Sequence, residues 1–112
     1  MAFDKLATLL VELIQKTNNG SLRWEATAAE GVYQVSFPRF TVQISERGND
    51  FVLTILNSEG TLLEEAADPE FQGKIENPFS RMQQLYVNAR RQALGVDAAL
   101  DELLNELSKK TP

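Results

Sequence analysis

The sequence is an acidic chain of 112 residues with a net charge of −5 and neither histidine nor cysteine. Its 43% hydrophobic and 24% charged residues are the balance of an ordinary globular domain. The acidity disfavours binding to nucleic acid or to an anionic membrane surface, since both reward clustered lysine and arginine. No apolar run approaches the length of a membrane span. We therefore expect a single cytoplasmic domain over residues 1–112.

Residues 2–17 predict an amphipathic helix. Asp4 lies in its first turn and Lys16 in its last, as the helix dipole favours, and residues 18–20 contain the asparagines and the glycine that end helices. Five large apolar residues recur at helical spacing: Phe3, Leu6, Leu10, Leu13 and Ile14.

The next stretch, residues 21–28, is interpreted as a short edge strand or an extended segment. Leu22, Trp24 and Ala26 alternate with polar neighbours, which is a strand pattern. We expect Trp24 to anchor one end of the core rather than to stack on a ligand.

Residues 31–65 predict the central antiparallel sheet. Phe51, Leu53 and Ile55 alternate with Val52, Thr54 and Leu56, so both faces of this strand are nearly apolar and it is expected to be central. Phe40, Val42 and Ile44 form the strand before it, and the return strand starts at Thr61. Glycine and asparagine at residues 47–50 and 57–60 predict the two connecting turns.

The alternation changes phase at Pro38 and Arg39. Tyr33, Val35 and Phe37 alternate in odd positions, whereas the residues from Phe40 onward alternate in even ones. Proline does not suit the turns that close two-residue hairpins, so one long strand over residues 32–46 with a bulge at Pro38 is predicted. The alternative is two strands joined by an irregular corner.

The acidic residues 64–76 show no periodicity and are predicted to form the most mobile internal segment. They carry five carboxylates against Lys74 alone. They are interpreted as a solvated loop, with an acidic docking site for a basic partner as the alternative. Phe71 and Ile75 are the residues that would hold the loop against the domain.

Two helices complete the chain. Asn77 and Pro78 predict the first start, with asparagine as N-cap and proline at the first helical position. This helix runs to about Leu94, Gly95 breaks it, and Asp97 is the expected N-cap of the last helix, which Lys109 and Lys110 close. The apolar stripe of the last helix comprises Leu100, Leu103, Leu104 and Leu107.

The chemistry available to the chain is limited. Without histidine or cysteine it lacks the commonest general base, the commonest metal ligand and the best nucleophile. Asp97 with Asp101, and Glu102 with Glu106, share helix faces and are interpreted as solvated. We expect no catalytic residue, no metal and no cofactor. Three arginines, Arg81, Arg90 and Arg91, form the basic concentration of the predicted helices.

The fold class predicted is α+β: an N-terminal helix, a three-stranded antiparallel meander with an extra edge strand left open, and two C-terminal helices. In element order over residues 2–94, in acidity and in size, the chain resembles the small cytoplasmic chaperones of bacterial type III secretion. It departs from them in lacking a second strand pair after the meander. The resemblance implies a helix–sheet–helix protomer that dimerises and holds an unfolded protein segment.

The function predicted is that of a non-enzymatic protein-interaction domain of bacterial type, chaperone-like or adaptor-like and homodimeric. The alternatives are a nucleic-acid-associated regulator that uses Arg81, Arg90 and Arg91, and a carboxylate-dependent hydrolase. Partner contacts are assigned to Val52, Thr54, Leu56, Arg90 and Arg91. The predicted core comprises Leu10, Leu13, Trp24, Phe37, Phe40, Ile44, Phe51, Leu53, Ile55, Leu85 and Leu103.

Overall fold

A computed structural model describes residues 2–110 and shows an α+β fold. Helix α1 (Ala2–Asn18) precedes a five-stranded antiparallel sheet, and helices α2 (Pro78–Ala93) and α3 (Val96–Lys110) follow it. Phe3 of the first predicted stripe and Lys110 of the last helix have side chains that lie outside the described part. The predicted class and the order of helices and sheet are confirmed.

The sheet is a meander in which each strand pairs with the next along the chain. The strands are β1 (Glu25–Ala26), β2 (Val32–Ser36), β3 (Phe40–Arg47), β4 (Asp50–Asn57) and β5 (Leu62–Ala67). The predicted count of three is too low, because β2 and β3 are separate strands and β1 adds a fifth strand at the edge. β1 is the edge strand beside Trp24.

The predicted bulge at Pro38 is wrong, and the connection is a hairpin. β2 and β3 pair antiparallel with Val35 opposite Val42, and the Phe37 N–H donates to the Phe40 carbonyl at 2.8 Å. Among the described residues, Asn77 is the only non-glycine with positive φ. Pro38 and Arg39 therefore turn the chain through negative φ, which proline accepts. The alternative of two strands is correct in its strand count, but the two strands pair as a hairpin instead of meeting at an irregular corner.

The predicted acidic loop contains instead the end of β5 and a 3-10 helix. Glu64 and Glu65 belong to β5, and the chain then forms a 3-10 helix at Asp68–Phe71 that ends on a fully buried Phe71. The pairing of β4 with β5 shifts register between Ile55 and Leu56. Such an irregularity disrupts period-two alternation, which explains why the sequence showed no strand pattern here.

The core lies between one face of the sheet and the two helices α1 and α2. Trp24 is buried and its indole Nε1–H donates to Thr17 Oγ1 at 2.9 Å, so its predicted anchoring role is confirmed. Phe37, Phe40 and Leu103 were predicted in the core but are 41%, 45% and 57% exposed. The buried cluster comprises Leu6, Ala7, Leu10, Leu13, Ile14, Trp24, Tyr33, Val35, Val42, Ile44, Phe51, Leu53, Ala66, Phe71, Met82, Leu85 and Ala89.

The two C-terminal helices begin as the sequence suggests, but by different means. Asn77 precedes α2 in the left-handed conformation, φ 49°, and its side chain makes no capping hydrogen bond. Gly95, φ 64°, separates α2 from α3, which starts at Val96 instead of after Asp97. The predicted boundaries are therefore correct within a residue or two. Asn77 is the N-cap residue as predicted, although without a side-chain hydrogen bond, whereas the predicted Asp97 N-cap is wrong because Asp97 lies inside α3.

Helix α3 projects from the rest of the domain. The radius of gyration is 16.1 Å, against about 13 Å for a compact domain of this length. The molecule measures 63 × 32 × 27 Å, and the main contacts of α3 are with α2. The elongation follows from a helix of about 22 Å that lies away from the sheet.

Candidate protein-interaction surfaces

The most exposed apolar surface of the described chain lies on α3. Four leucines, Leu100, Leu103, Leu104 and Leu107, form what we call the α3 leucine face, and their side chains are between 45% and 64% exposed. In a monomeric globular protein a helix normally buries its apolar stripe against the core. Here the core is already filled by α1 and α2, so the stripe of α3 remains in water.

The α3 leucine face has the spacing of a helix that packs against another helix. Val96, Leu100, Leu103 and Leu107 are separated by four, three and four residues, the alternation of a coiled-coil seam. Leu104 widens this seam on one side. On the opposite side of the helix lie the exposed residues Ala98, Asp101 and Lys109, so α3 is amphipathic with its apolar side outward.

An ion pair connects α2 and α3 on either side of Gly95. Arg91 Nη2 lies 2.7 Å from Asp97 Oδ1, and both side chains are substantially exposed. Exposed pairs of this kind contribute little to stability. The pair nevertheless engages Arg91, one of the two arginines that the sequence assigned to partner contact. It also favours one direction of the α3 axis relative to α2.

The predicted partner-binding residues of β4 lie on the face of the sheet opposite α1 and α2. Val52 and Thr54 are each 5% exposed, whereas Leu56 is partly buried at the register shift beside β5. We call this surface the open sheet face. Neither α1 nor α2 covers this face, because the residues of both helices in the buried cluster pack against the other face of the sheet.

Polar side chains of neighbouring strands cover much of the open sheet face. The Arg47 guanidinium on β3 crosses β4 and donates to both carboxylate oxygens of Glu65 on β5, at 2.9 and 2.7 Å. Thr54 Oγ1 donates to the same carboxylate at 2.9 Å. These bonds lower the pKa of Glu65, chiefly through Arg47, and raise the pKa of Arg47. Leu56 is left as the accessible apolar residue of the predicted set.

The three predicted arginines do not form one patch. Arg81 and Arg90 are nine residues apart on α2, which places them on opposite sides of a helix. Arg91 is engaged by Asp97, while Arg90 lies beside Tyr86 and Leu94 at a shallow polar cleft. Burial raises the pKa of the Tyr86 hydroxyl, with a smaller contribution from Tyr33. The three arginines therefore do not form a single basic surface on α2.

A smaller apolar groove lies between α1 and the β2–β3 hairpin. Leu9, Leu13, Leu22 and Phe37 line it, with Glu12 and Lys16 at its rim, and its volume is about 300 Å³. Phe37, which the sequence assigned to the core, forms one wall. We call it the hairpin groove.

The carboxylates of the described residues are dispersed. No group of three or more acidic side chains within residues 2–110 is placed to hold a metal ion, and Asp101, Glu102 and Glu106 of α3 all face solvent. In the same part of the chain no helix combines the length and apolarity that a membrane crossing requires.

Comparison of the chain with protein-family models, with curated proteins and with solved structures finds no match. The resemblance to type III secretion chaperones therefore stays a prediction. Assignment of function depends on the surfaces themselves, of which the α3 leucine face is the largest group of exposed leucines in the described chain.

The sequence predicts Leu103 in the core and partner contacts on β4 and α2, whereas the structure exposes Leu103 on the α3 leucine face. The signal was present in the sequence as a surplus. The apolar stripes of two helices are enough to cover one face of the sheet, and this chain has three amphipathic helices. The four-three-four spacing of the third stripe favours a helical partner over a sheet.

Proposed function

We propose that the chain is a non-enzymatic protein-interaction domain that acts as a cytoplasmic homodimer and holds a protein partner, as a small chaperone or adaptor does. The observation that carries the proposal is the exposure of the α3 leucine face. Covering a leucine side chain fully is worth about 1.5–3 kcal/mol. Four leucines left roughly half exposed therefore leave several kcal/mol to be gained when another surface covers them.

The composition supports a role without catalysis. The sequence offers no histidine or cysteine, and of the four carboxylates on α3, Asp97 is paired with Arg91 while the other three are solvated. Carboxylates enclosed in a cleft are a usual signature of acid–base chemistry, whereas the α3 carboxylates are exposed.

The nucleic-acid alternative is less well supported by the geometry. Its three arginines are divided between opposite sides of α2, and one of them is paired with Asp97. The net charge of −5 also opposes association with a polyanion. A fluorescence titration with generic duplex DNA tests it, because nucleic-acid binding would weaken steeply with added salt and would be lost in Arg90→Ala.

The proposal is tested by quantitative capture of partners from the native host with matched variants of the full chain. Leu103→Lys places a charge within the α3 leucine face, and Ala98→Lys places the same charge on the opposite side of the same helix. We expect the wild type and Ala98→Lys to retain the same protein partner and Leu103→Lys to lose it. Equal capture by all three would contradict a role for α3, and loss in Leu56→Lys alone would move the site to the open sheet face.

A further inference from the structure

We infer that the α3 leucine face is covered by the same face of a second copy of this chain, with the two α3 helices antiparallel across a two-fold axis. The inference rests on the proposed function and adds to it the identity and the orientation of the surface that covers α3. Three features of the described helix support it: the register of its leucines, the distribution of its charge, and the position of the domain at one end.

The register of the leucines permits a fully apolar antiparallel seam. When the two-fold axis passes between Leu100 and Leu103, Leu100 of one copy lies beside Leu103 of the other. Val96 then lies beside Leu107 in the next layer outward. Each layer of the seam therefore contains two apolar side chains, as helix pairs of this kind require.

The charges of α3 differ between its halves. Asp97, Asp101 and Glu102 lie in the N-terminal half, whereas the C-terminal half contains Glu106 together with Lys109 and Lys110. An antiparallel pair opposes the two helix dipoles, and it places Asp97 of each helix near the end of the other helix that carries Lys109 and Lys110. A parallel pair would place the two acidic halves together, which is repulsive.

The charge of the rest of the domain favours the same orientation. Helix α3 carries four carboxylates and two lysines, a net charge of −2, so the remainder of the chain carries −3 of the total −5. A parallel pair would place the two remaining domains, each with a net charge of −3, side by side. An antiparallel pair separates them by about the 22 Å length of the helix, well beyond the screening length of about 8 Å at physiological ionic strength.

The contact is small for a dimer interface. Specific dimers bury about 1,200–2,000 Å² in total, and a pair of helices about 22 Å long is at the low end of that range.

Cysteine cross-linking tests the orientation, because the chain has no native cysteine. Val96→Cys and Leu107→Cys are prepared separately in the full chain, and each is oxidised alone and in an equal mixture. Antiparallel pairing predicts a cross-linked dimer in the mixture and its loss when either variant is alone. Identical positions would then be about 16 Å apart along the helices, and a disulfide requires Cα atoms within about 7 Å.

The outcomes separate this inference from the proposed function. Cross-linking of each variant with itself would show a parallel pair. Absence of cross-linking in the mixture, when the wild type is a dimer in solution, would show that another surface is used. Either result overturns the inference and leaves the dimeric protein-interaction role standing. Ala98→Cys on the opposite side of α3 is the control and should cross-link with neither variant, while circular dichroism establishes that every variant is folded.

Discussion

The carboxylate of Asp68 takes the place of a strand partner where β5 ends. Phe51 lies in β4, and its N–H donates to Asp68 Oδ1 at 2.8 Å, with Asp68 only 5% exposed. Buried backbone N–H groups are nearly always paired. The 3-10 helix that begins at Asp68 therefore continues the hydrogen bonding of the sheet through a side chain.

Replacement of Asp68 by alanine should destabilise the domain by about 1–3 kcal/mol, because it leaves the Phe51 N–H buried without an acceptor. The measurement is urea unfolding followed by tryptophan fluorescence. Asp68→Asn keeps an amide oxygen as acceptor and is the matched control, with an expected loss well below that of alanine. Equal losses in the two variants would show that the carboxylate charge, and not the hydrogen bond, stabilises this end.

The ion pair on the open sheet face predicts a pH dependence. The Arg47 guanidinium, and to a smaller degree Thr54, lower the pKa of Glu65 below its ordinary value of 4.5. A carboxylate with a lowered pKa in the folded state stabilises that state above the unfolded pKa and loses this effect as the pH falls through the folded one. The stability difference between wild type and Glu65→Gln should thus be present at neutral pH and diminish below pH 4.5. A difference that grows on acidification would contradict the assignment.

At the scale of elements, the sequence predicted those parts of the fold whose pattern is local. The turn between β3 and β4 follows from Gly48 and Asn49, and Arg47 pairs with Asp50 as expected. The helices follow from their apolar spacing. Trp24 and Leu53 are buried as predicted, because each is a large apolar residue in an alternating segment.

The errors arose where tertiary context overrides local pattern. Pro38 was excluded from a hairpin because primed turns are the common closure, yet the chain turns there with negative φ. Glu64 and Glu65 lie where the predicted sheet region overlaps the predicted acidic loop, and the structure places both in β5, with Glu65 paired with Arg47 across the sheet. Leu103 was assigned to the core because periodicity shows that a helix has an apolar face, but not which surface covers it.

The position of α3 predicts that the domain folds without it. Its described side chains up to Lys109 are exposed or only partly buried, and its one ion pair with α2 is solvated. Removal of residues 95–112 should therefore change the free energy of unfolding by less than about 1 kcal/mol relative to the monomeric Leu103→Lys variant. Differential scanning calorimetry checks this, and a truncated chain that fails to unfold cooperatively would show that α3 belongs to the core.

The whole molecule is a compact domain with a projecting amphipathic helix. The sheet, α1 and α2 form a single buried cluster, and the apolar surplus of the chain is concentrated on α3. Such a division lets the domain fold independently while the helix is free to join another chain.

The molar mass in solution tests the central claim, the pairing of two copies through the α3 leucine face, most directly. Multi-angle light scattering over a wide concentration range should give a dimer for the wild type and for Ala98→Lys, and a monomer for Leu103→Lys with an unchanged circular dichroism spectrum. Because both lysines are introduced on α3, a difference between the two variants is specific to the α3 leucine face. A wild type that remains monomeric throughout, or a Leu103→Lys variant that remains dimeric, would contradict the claim.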